Sequence, residues 1–277
     1  MPHRPRRNGK IIASRGITNR VTAETGPLAP IFADDWPYKA LDDRQTVWRY
    51  LTLSKFEDLL RTSELYFRRC DKFVDGLEGT ISKREIDGTS RSDRLFHTVY
   101  PIAHDYDDAA AAQAVTRACL FVNCWHINSR ESATMWNEYT PEKDAVAVVS
   151  SGKALKSSLP LGILVSPVAY VNESQPRIAF DNVSLCFYKD VSFRHERELR
   201  LLRPTYEGEH VLENDPTDFA RRVPVSLEEL LQRVVVKPTI SDAGRDSVTA
   251  LCRAFCPHAT LEDSCLPLSS FAPCGVT

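Results

Sequence analysis

Two periodicities divide this chain. Where apolar and polar positions alternate, or β-branched and aromatic residues run together, the pattern predicts strands. These fall at 47–53, 65–68, 118–126, 145–149, 163–171, 183–188, 193–203 and 234–240. Where apolar positions return at three- and four-residue steps, it predicts helices. One starts near Ser54 and buries Phe56, Leu59 and Leu60; an alanine-rich one spans 107–118; a third carries Met135, Trp136 and Tyr139. Shorter ones follow at 153–158 and 226–231, and a long one runs from Ser241 to Phe255. Ser54 with Glu57 has the spacing of a capping box, and Ser129, Ser226 and Ser241 stand where N-caps belong. The stretch 118–126 is dense enough in apolar residues to be a central, buried strand. Short strands and helices in mixed order predict an α+β fold with a mixed, largely antiparallel split β-sheet and flanking helices.

The pattern fades at both ends of that region. Arg4, Arg6, Arg7, Lys10, Arg15 and Arg20 all precede the first acid, Glu24, and no apolar core of a secretory signal interrupts them. Residues 1–35 therefore read as a flexible basic tail, and 36–277 as a single α+β domain. A polar, poorly periodic segment with the alanine-rich helix, 82–118, reads as an insertion or lid.

Composition narrows the class. The chain has 277 residues, is 43% hydrophobic and carries a formal charge of −2. That is enough to bury a large core, and too little positive charge for a general polyanion binder. No apolar run approaches a membrane span. The eight cysteines are scattered through apolar runs as buried free thiols are, so a reduced, cytoplasmic protein is expected. Cys252, Cys256 and His258 invite a zinc reading, yet the spacing is wrong for a common finger and the cysteines fall on the apolar side of a helix. No structural metal is expected.

One stretch carries candidate chemistry. In Val191-Ser-Phe-Arg-His-Glu-Arg-Glu-Leu-Arg-Leu-Leu202, alternation sets Glu196, Glu198 and Arg200 on one strand face and Leu199 and Leu201 on the other. Carboxylates two residues apart on a strand lie roughly 6.5–7 Å apart, close enough to perturb one another and share a polar ligand. The plainer alternative is an exposed face on which Arg200 neutralises Glu198.

Around this stretch, Trp48-Arg-Tyr50, Leu65-Tyr-Phe-Arg68, Asp75-Gly-Leu-Glu-Gly79, Cys124-Trp-His126, Met135-Trp-Asn-Glu-Tyr139, Lys189 and Glu196-x-Glu198-x-Arg200 resemble a large bacterial and phage family known only as a domain of unknown function. A fainter likeness bears on chemistry. An early strand Arg, a polar turn after a central strand and a Glu-x-Glu entering an apolar strand are similar to the arrangement in arginine-directed ADP-ribosyltransferases. That resemblance implies NAD as substrate and a toxin or phage-defence role. It implies Arg49 on a phosphate or ribose, Asn128 and Ser129 beside the ribose, and Arg200 among the cofactor contacts. Glu198 would stabilise the ribosyl cation and Glu196 orient or deprotonate the acceptor. The chemistry needs an aromatic wall for nicotinamide, for which Tyr50, Trp136 and Tyr139 are candidates.

Two rivals stand beside it. A metal-dependent nuclease would gather Mg²⁺ on Asp75, Glu78, Glu196 and Glu198, with Lys189 on a phosphate. A non-catalytic module would use Trp136, Tyr139 and Arg200 against a partner. A protein or nucleic-acid acceptor fits the transferase, no membrane partner is expected, and the sequence leaves the oligomeric state open.

Overall fold

The computed structural model describes residues 40–73, 114, 117–172, 183–205 and 219–271, with the backbone alone at 11–12 and 211–212. The basic tail apart from Ile11–Ile12, the loop holding Asp75 and Glu78, and the proposed insertion up to its last helical residues lie outside the described residues. Ile11–Ile12 pairs antiparallel with Val211–Leu212.

The described strands are β1 (Thr46–Thr52), β2 (Glu64–Arg69), β3 (Leu120–Ile127), β4 (Ala145–Ser151), β5 (Leu164–Pro167), β6 (Ala169–Val171), β7 (Tyr188–Asp190), β8 (Glu198–Pro204), β9 (Ala220–Pro224), β10 (Arg233–Val236) and β11 (Thr260–Asp263). Among them run helices α1 (Leu53–Thr62), α2 (Ala133–Tyr139), α3 (Gly152–Ser158), α4 (Leu227–Leu230) and α5 (Asp242–Phe255). The main sheet follows the order β9-β2-β3-β1-β4-β10-β11, with β8 added along β3 and β5 along β8. Every pairing in it is antiparallel except β10 with β11. This is the predicted α+β architecture.

Burial explains the layers. Val47, Leu51, Phe121, Trp125, Leu199 and Leu201 point to one face of the sheet, where Phe56, Leu59 and Leu60 of α1, Leu155 of α3, Leu230 of α4 and Val248 of α5 cover them. The opposite face packs Trp48 and Tyr50 against Met135 and Trp136 of α2. Farther along that face, Leu120, Val122 and Leu202 meet Leu185 and Phe187.

The sheet is split at its centre. One edge of β3 is paired along its length with β8, from Leu120 opposite Pro204 to His126 opposite Glu198. Its other edge is shared: β2 takes Phe121 and Val122, and β1 takes His126 and Ile127. Asn123, Cys124 and Trp125 are left between them, because β1 and β2 diverge where α1 connects them.

Several boundaries differ from the sequence expectation, each for a local reason. The N-cap of α1 is Thr52, not Ser54, since β1 runs straight into the helix; Glu57 pairs with Arg61 at 2.8 Å instead of closing a capping box. The cap of α2 is Ser132, not Ser129. Ser226 and Ser241 cap as expected. The predicted strand at 183–188 is a 3₁₀ turn, Ser184–Phe187, before the short β7, and 163–171 breaks at Val168 into β5 and β6. The strand expected to 240 stops at Val236. Two edge strands gave no pattern: β9 has one buried residue, Val223, and β11 has none.

Gly152 opens α3 under the 41–45 turn, and a Cβ there would lie 2.1 Å from the Asp42 carbonyl oxygen. Gly152→Ala is therefore expected to cost about 1–3 kcal/mol, read as a lower melting temperature without loss of the folded spectrum.

Candidate functional site

Glu196 is not on the strand. It closes a 3₁₀ turn, Val191–Glu196, and Arg197 then takes a left-handed conformation (φ 41°) before β8 begins at Glu198. The end of β3 pins this kink: the Ile127 N–H donates to the Arg197 carbonyl at 2.9 Å, and His126 Nδ1 donates to the Glu196 carbonyl at 2.5 Å. The kink carries Glu196 to a place beside Glu198, so the expected pairing of the carboxylates is realised by different backbone.

Both carboxylates are buried, and one cation joins them. Lys189 of β7 donates to Glu196 Oε2 at 2.7 Å and to Glu198 Oε2 at 3.3 Å, and rests over the Phe193 ring. Arg200, 1% exposed, grips Glu198 with Nε on Oε1 (2.8 Å) and Nη2 on Oε2 (3.0 Å), while its Nη1 donates to the Cys186 carbonyl. Tyr139, at the end of α2, donates to Glu196 Oε2 at 3.1 Å. The Glu198 N–H donates to the Tyr170 hydroxyl at 2.7 Å. The second oxygen of Glu196, Oε1, has no hydrogen bond among the described residues.

These contacts separate the two acids. Burial would raise Glu198, but the Arg200 charge and hydrogen bonds, then Lys189 and the Cys124 thiol, hold it down to about 2. For Glu196 burial prevails: with the charge of Glu198 beside it, its pKa lies above the ordinary carboxylate value despite Lys189 and Tyr139. One group is held as an anion and the other is displaced upward, the division that acid-base sites use. Burial, and then the Glu196 charge, raise the Tyr139 phenol. Burial lowers His126.

A cavity of about 610 Å³ opens onto this group and runs through the split in the sheet. Trp48, His126 and Glu198 lie in one row across β1, β3 and β8, so they share a face. Arg49 projects to the other face, yet lines the same cavity because the split is open there. Its Nη1 donates to Asn123 Oδ1 at 2.8 Å and to the Cys124 carbonyl at 2.5 Å, and Asn123 Nδ2 donates across to the Tyr66 carbonyl at 2.8 Å. Arg49 Nε and Nη2 have no hydrogen-bond partner among the described residues. Desolvation lowers this guanidinium to about 10, so it is still a cation at neutral pH.

Of the residues named from sequence, Arg49, Tyr50, Tyr139, Glu196 and Glu198 line the cavity. Asn128, Ser129, Trp136 and Arg200 do not. Trp136 is fully buried, edge-on to Tyr50 at 4.9 Å, with Nε1 donating to Glu131. Asn128 serves through its carbonyl, which accepts from Trp48 Nε1 at 2.8 Å, and Ser129 is exposed. Arg200 acts from behind Glu198. Sequence reasoning gave His126 and Tyr170 no role in the site. His126 stands opposite Glu198 only because β3 pairs with β8, a long-range register that nothing local in either segment expresses.

Among the described residues no group of three or more His, Cys, Asp and Glu side chains is arranged to hold a metal, and seven cysteines are free thiols. No described helix is long and apolar enough to cross a membrane.

No protein-family model and no curated protein matches this chain. Solved structures of DarT from Thermus sp. 2.9 are similar at low level. The complex with NAD⁺ has a TM-score of 0.36 and 12% identity, covering 80% of this chain and 96% of that one. The complex with ADP-ribosylated ssDNA has 0.36 and 13%, covering 84% and 99%. The complex with carba-NAD⁺ has 0.35 and 12%, covering 83% and 97%. At these scores the likeness assigns no activity.

Proposed function

We propose that the cavity binds NAD and that this chain is an ADP-ribosyltransferase-like enzyme able to hydrolyse NAD, with Glu198 and Glu196 as its working carboxylates. The observation that carries the reading is the pair itself: two buried carboxylates joined by Lys189 at the wall of one cavity, displaced in opposite directions from their ordinary pKa. Cleavage of the nicotinamide glycosidic bond sends the bonding electrons to the ring nitrogen and leaves a ribosyl cation. Glu198, held anionic, supplies negative charge beside that cation. A protein or nucleic-acid nucleophile then bonds to the sugar carbon, and Glu196 takes the proton it loses through Oε1; water that captures the cation instead loses its proton to solvent.

The rest of the cavity suits the substrate. Its volume falls within the range of about 300–1,000 Å³ typical of small-molecule sites. Tyr50 and Tyr139 offer ring faces to nicotinamide, and Arg49 offers N–H donors to a phosphate. The nuclease reading draws no matching support, since Glu196 and Glu198 already answer Lys189 and Arg200.

Thermal unfolding tests the reading. NAD at 100 times its dissociation constant is expected to stabilise the protein by about 2.7 kcal/mol, and Mg²⁺ alone to leave it unchanged. Nicotinamide release should accompany the shift. Stabilisation by Mg²⁺ with none by NAD would sink the proposal.

A further inference from the structure

The cavity has a second end that the nicotinamide chemistry leaves unused. Alternation along β2 turns Tyr66 and Arg68 to one face, and Arg68 stands opposite Val122 of β3. Val122 and His126 share a face of β3, and His126 stands opposite Glu198, so Glu198, Tyr66 and Arg68 look onto one side of the sheet. All three line the same cavity, as does Phe73. Tyr66 is 38% exposed and Arg68 is exposed, with its guanidinium 5.9 Å from the centroid of the Phe73 ring. Arg68 makes no hydrogen bond or ion pair among the described residues, whereas Arg222, opposite Tyr66, is held by Asp58 at 2.9 Å. Two aromatic rings and an uncommitted planar guanidinium are the surfaces on which a nucleobase stacks. Asn123 ties this platform to the split in the sheet: its Oδ1 accepts from Arg49 and its Nδ2 donates to the Tyr66 carbonyl, each at 2.8 Å.

Spacing decides which base. Strands lie about 4.8 Å apart and residues rise about 3.4 Å, so Arg68, two strands across and four residues along from Glu198, stands roughly 16–17 Å away between backbones. Nicotinamide mononucleotide seated against Glu198 ends at its phosphate, short of this platform. The dinucleotide carries an adenine beyond its diphosphate, and Arg49 borders the cavity between the two ends. We infer that Tyr66, Arg68 and Phe73 form an adenine subsite, by which this cavity takes the whole dinucleotide and discriminates against the mononucleotide. The inference rests on the NAD reading and adds a specificity to it. A base stacked on Arg68 is too far from Glu198 to be the group modified, which favours the adenine of NAD over the base of an acceptor.

Affinities of the full chain for NAD and for nicotinamide mononucleotide are read from thermal unfolding over a concentration series, with ligand in large excess so that turnover does not deplete it. The wild type is expected to bind NAD at least about 10-fold more tightly than the mononucleotide, the worth of one stacked base. Tyr66→Leu and Arg68→Gln, both at exposed positions, are expected to fold and to weaken NAD by about 5- to 100-fold, so that the ratio of the two affinities falls toward one. Tyr66→Phe, which keeps the ring, should hold the wild-type ratio. Equal affinity of the wild type for both ligands overturns the inference while NAD binding stands, and so does a wild-type ratio in folded Tyr66→Leu and Arg68→Gln. If those variants keep their NAD affinity but lose transfer to single-stranded oligonucleotides, the platform serves the acceptor and the adenine assignment falls. If the wild type binds neither ligand, the NAD reading falls and takes this inference with it.

Discussion

Glu198→Gln is expected to lower the stability of this protein by about 3–5 kcal/mol at neutral pH, with a melting temperature lower by roughly 6–20 °C. The side chain keeps its size, so the loss is electrostatic. Arg200 is 1% exposed and gives two charge-assisted hydrogen bonds to Glu198 beside the one to the Cys186 carbonyl; without the carboxylate charge, this buried cation loses the anion that grips it on two atoms. The pH dependence gives the sign. Glu198 is depressed from 4.5 to about 2 in the folded chain, so its contribution is fully present above the unfolded value and is lost as pH falls through the folded one. A displacement of that size corresponds to about 3 kcal/mol. The gap between wild type and variant should therefore be widest near neutrality and shrink below about pH 4.5, where wild-type Glu198 begins to resemble glutamine in charge. Replacing Arg200 as well, in Glu198→Gln/Arg200→Gln, should cost less than the sum of the single changes, because neither charge is then left alone. Equal melting temperatures for wild type and Glu198→Gln at neutral pH would overturn this account of the cluster.

That expectation also marks where sequence reading reached its end. Alternation set Leu199 and Leu201 against Glu198 and Arg200, and the strand does present them so. Apolar density marked β3 as central, and it holds β8 along one edge with β1 and β2 sharing the other. Such features are local, since each strand carries its own burial pattern. What alternation could not express was the left-handed Arg197, which adds a kink between the two glutamates and delivers Glu196 from a 3₁₀ turn. Nor could it say that Glu198 is enclosed by cations from both sides. A short Glu-x-Glu segment carries no information about Lys189 arriving from β7 or about the His126–Glu198 register, which are long-range pairings. Trp136 failed as a cavity wall for a similar reason. Helical spacing gives a face, and which face meets the cavity depends on Tyr50, which lies between Trp136 and the opening. The edge strands β9 and β11 gave no signal because they bury almost nothing.

Glu196→Gln should behave in the opposite manner to Glu198→Gln, with little effect on stability and a large effect on one of two activities. Its carboxyl already sits above its ordinary pKa, so a neutral amide at this place loses less than it would at Glu198. Lys189 keeps Glu198 as a partner, and Tyr139 can donate to the amide oxygen as it does to the carboxylate. If Glu196 serves only the acceptor, departure of nicotinamide proceeds without it, and water, present at high concentration, still captures the ribosyl cation. NAD hydrolysis is then expected to stay within about 10-fold of wild type, while transfer of ADP-ribose falls by about 10²- to 10⁴-fold, the usual weight of a positioned general base. NAD labelled in its adenylate half measures both at once, as free ADP-ribose and as label fixed to the protein itself, to a cationic polypeptide or to single-stranded oligonucleotides. The ratio of the two products is the informative quantity, because a variant that is merely less folded loses both in proportion. Equal loss of hydrolysis and transfer would remove the proton-accepting role from Glu196, and absence of NAD consumption by the wild type would remove the transferase reading altogether.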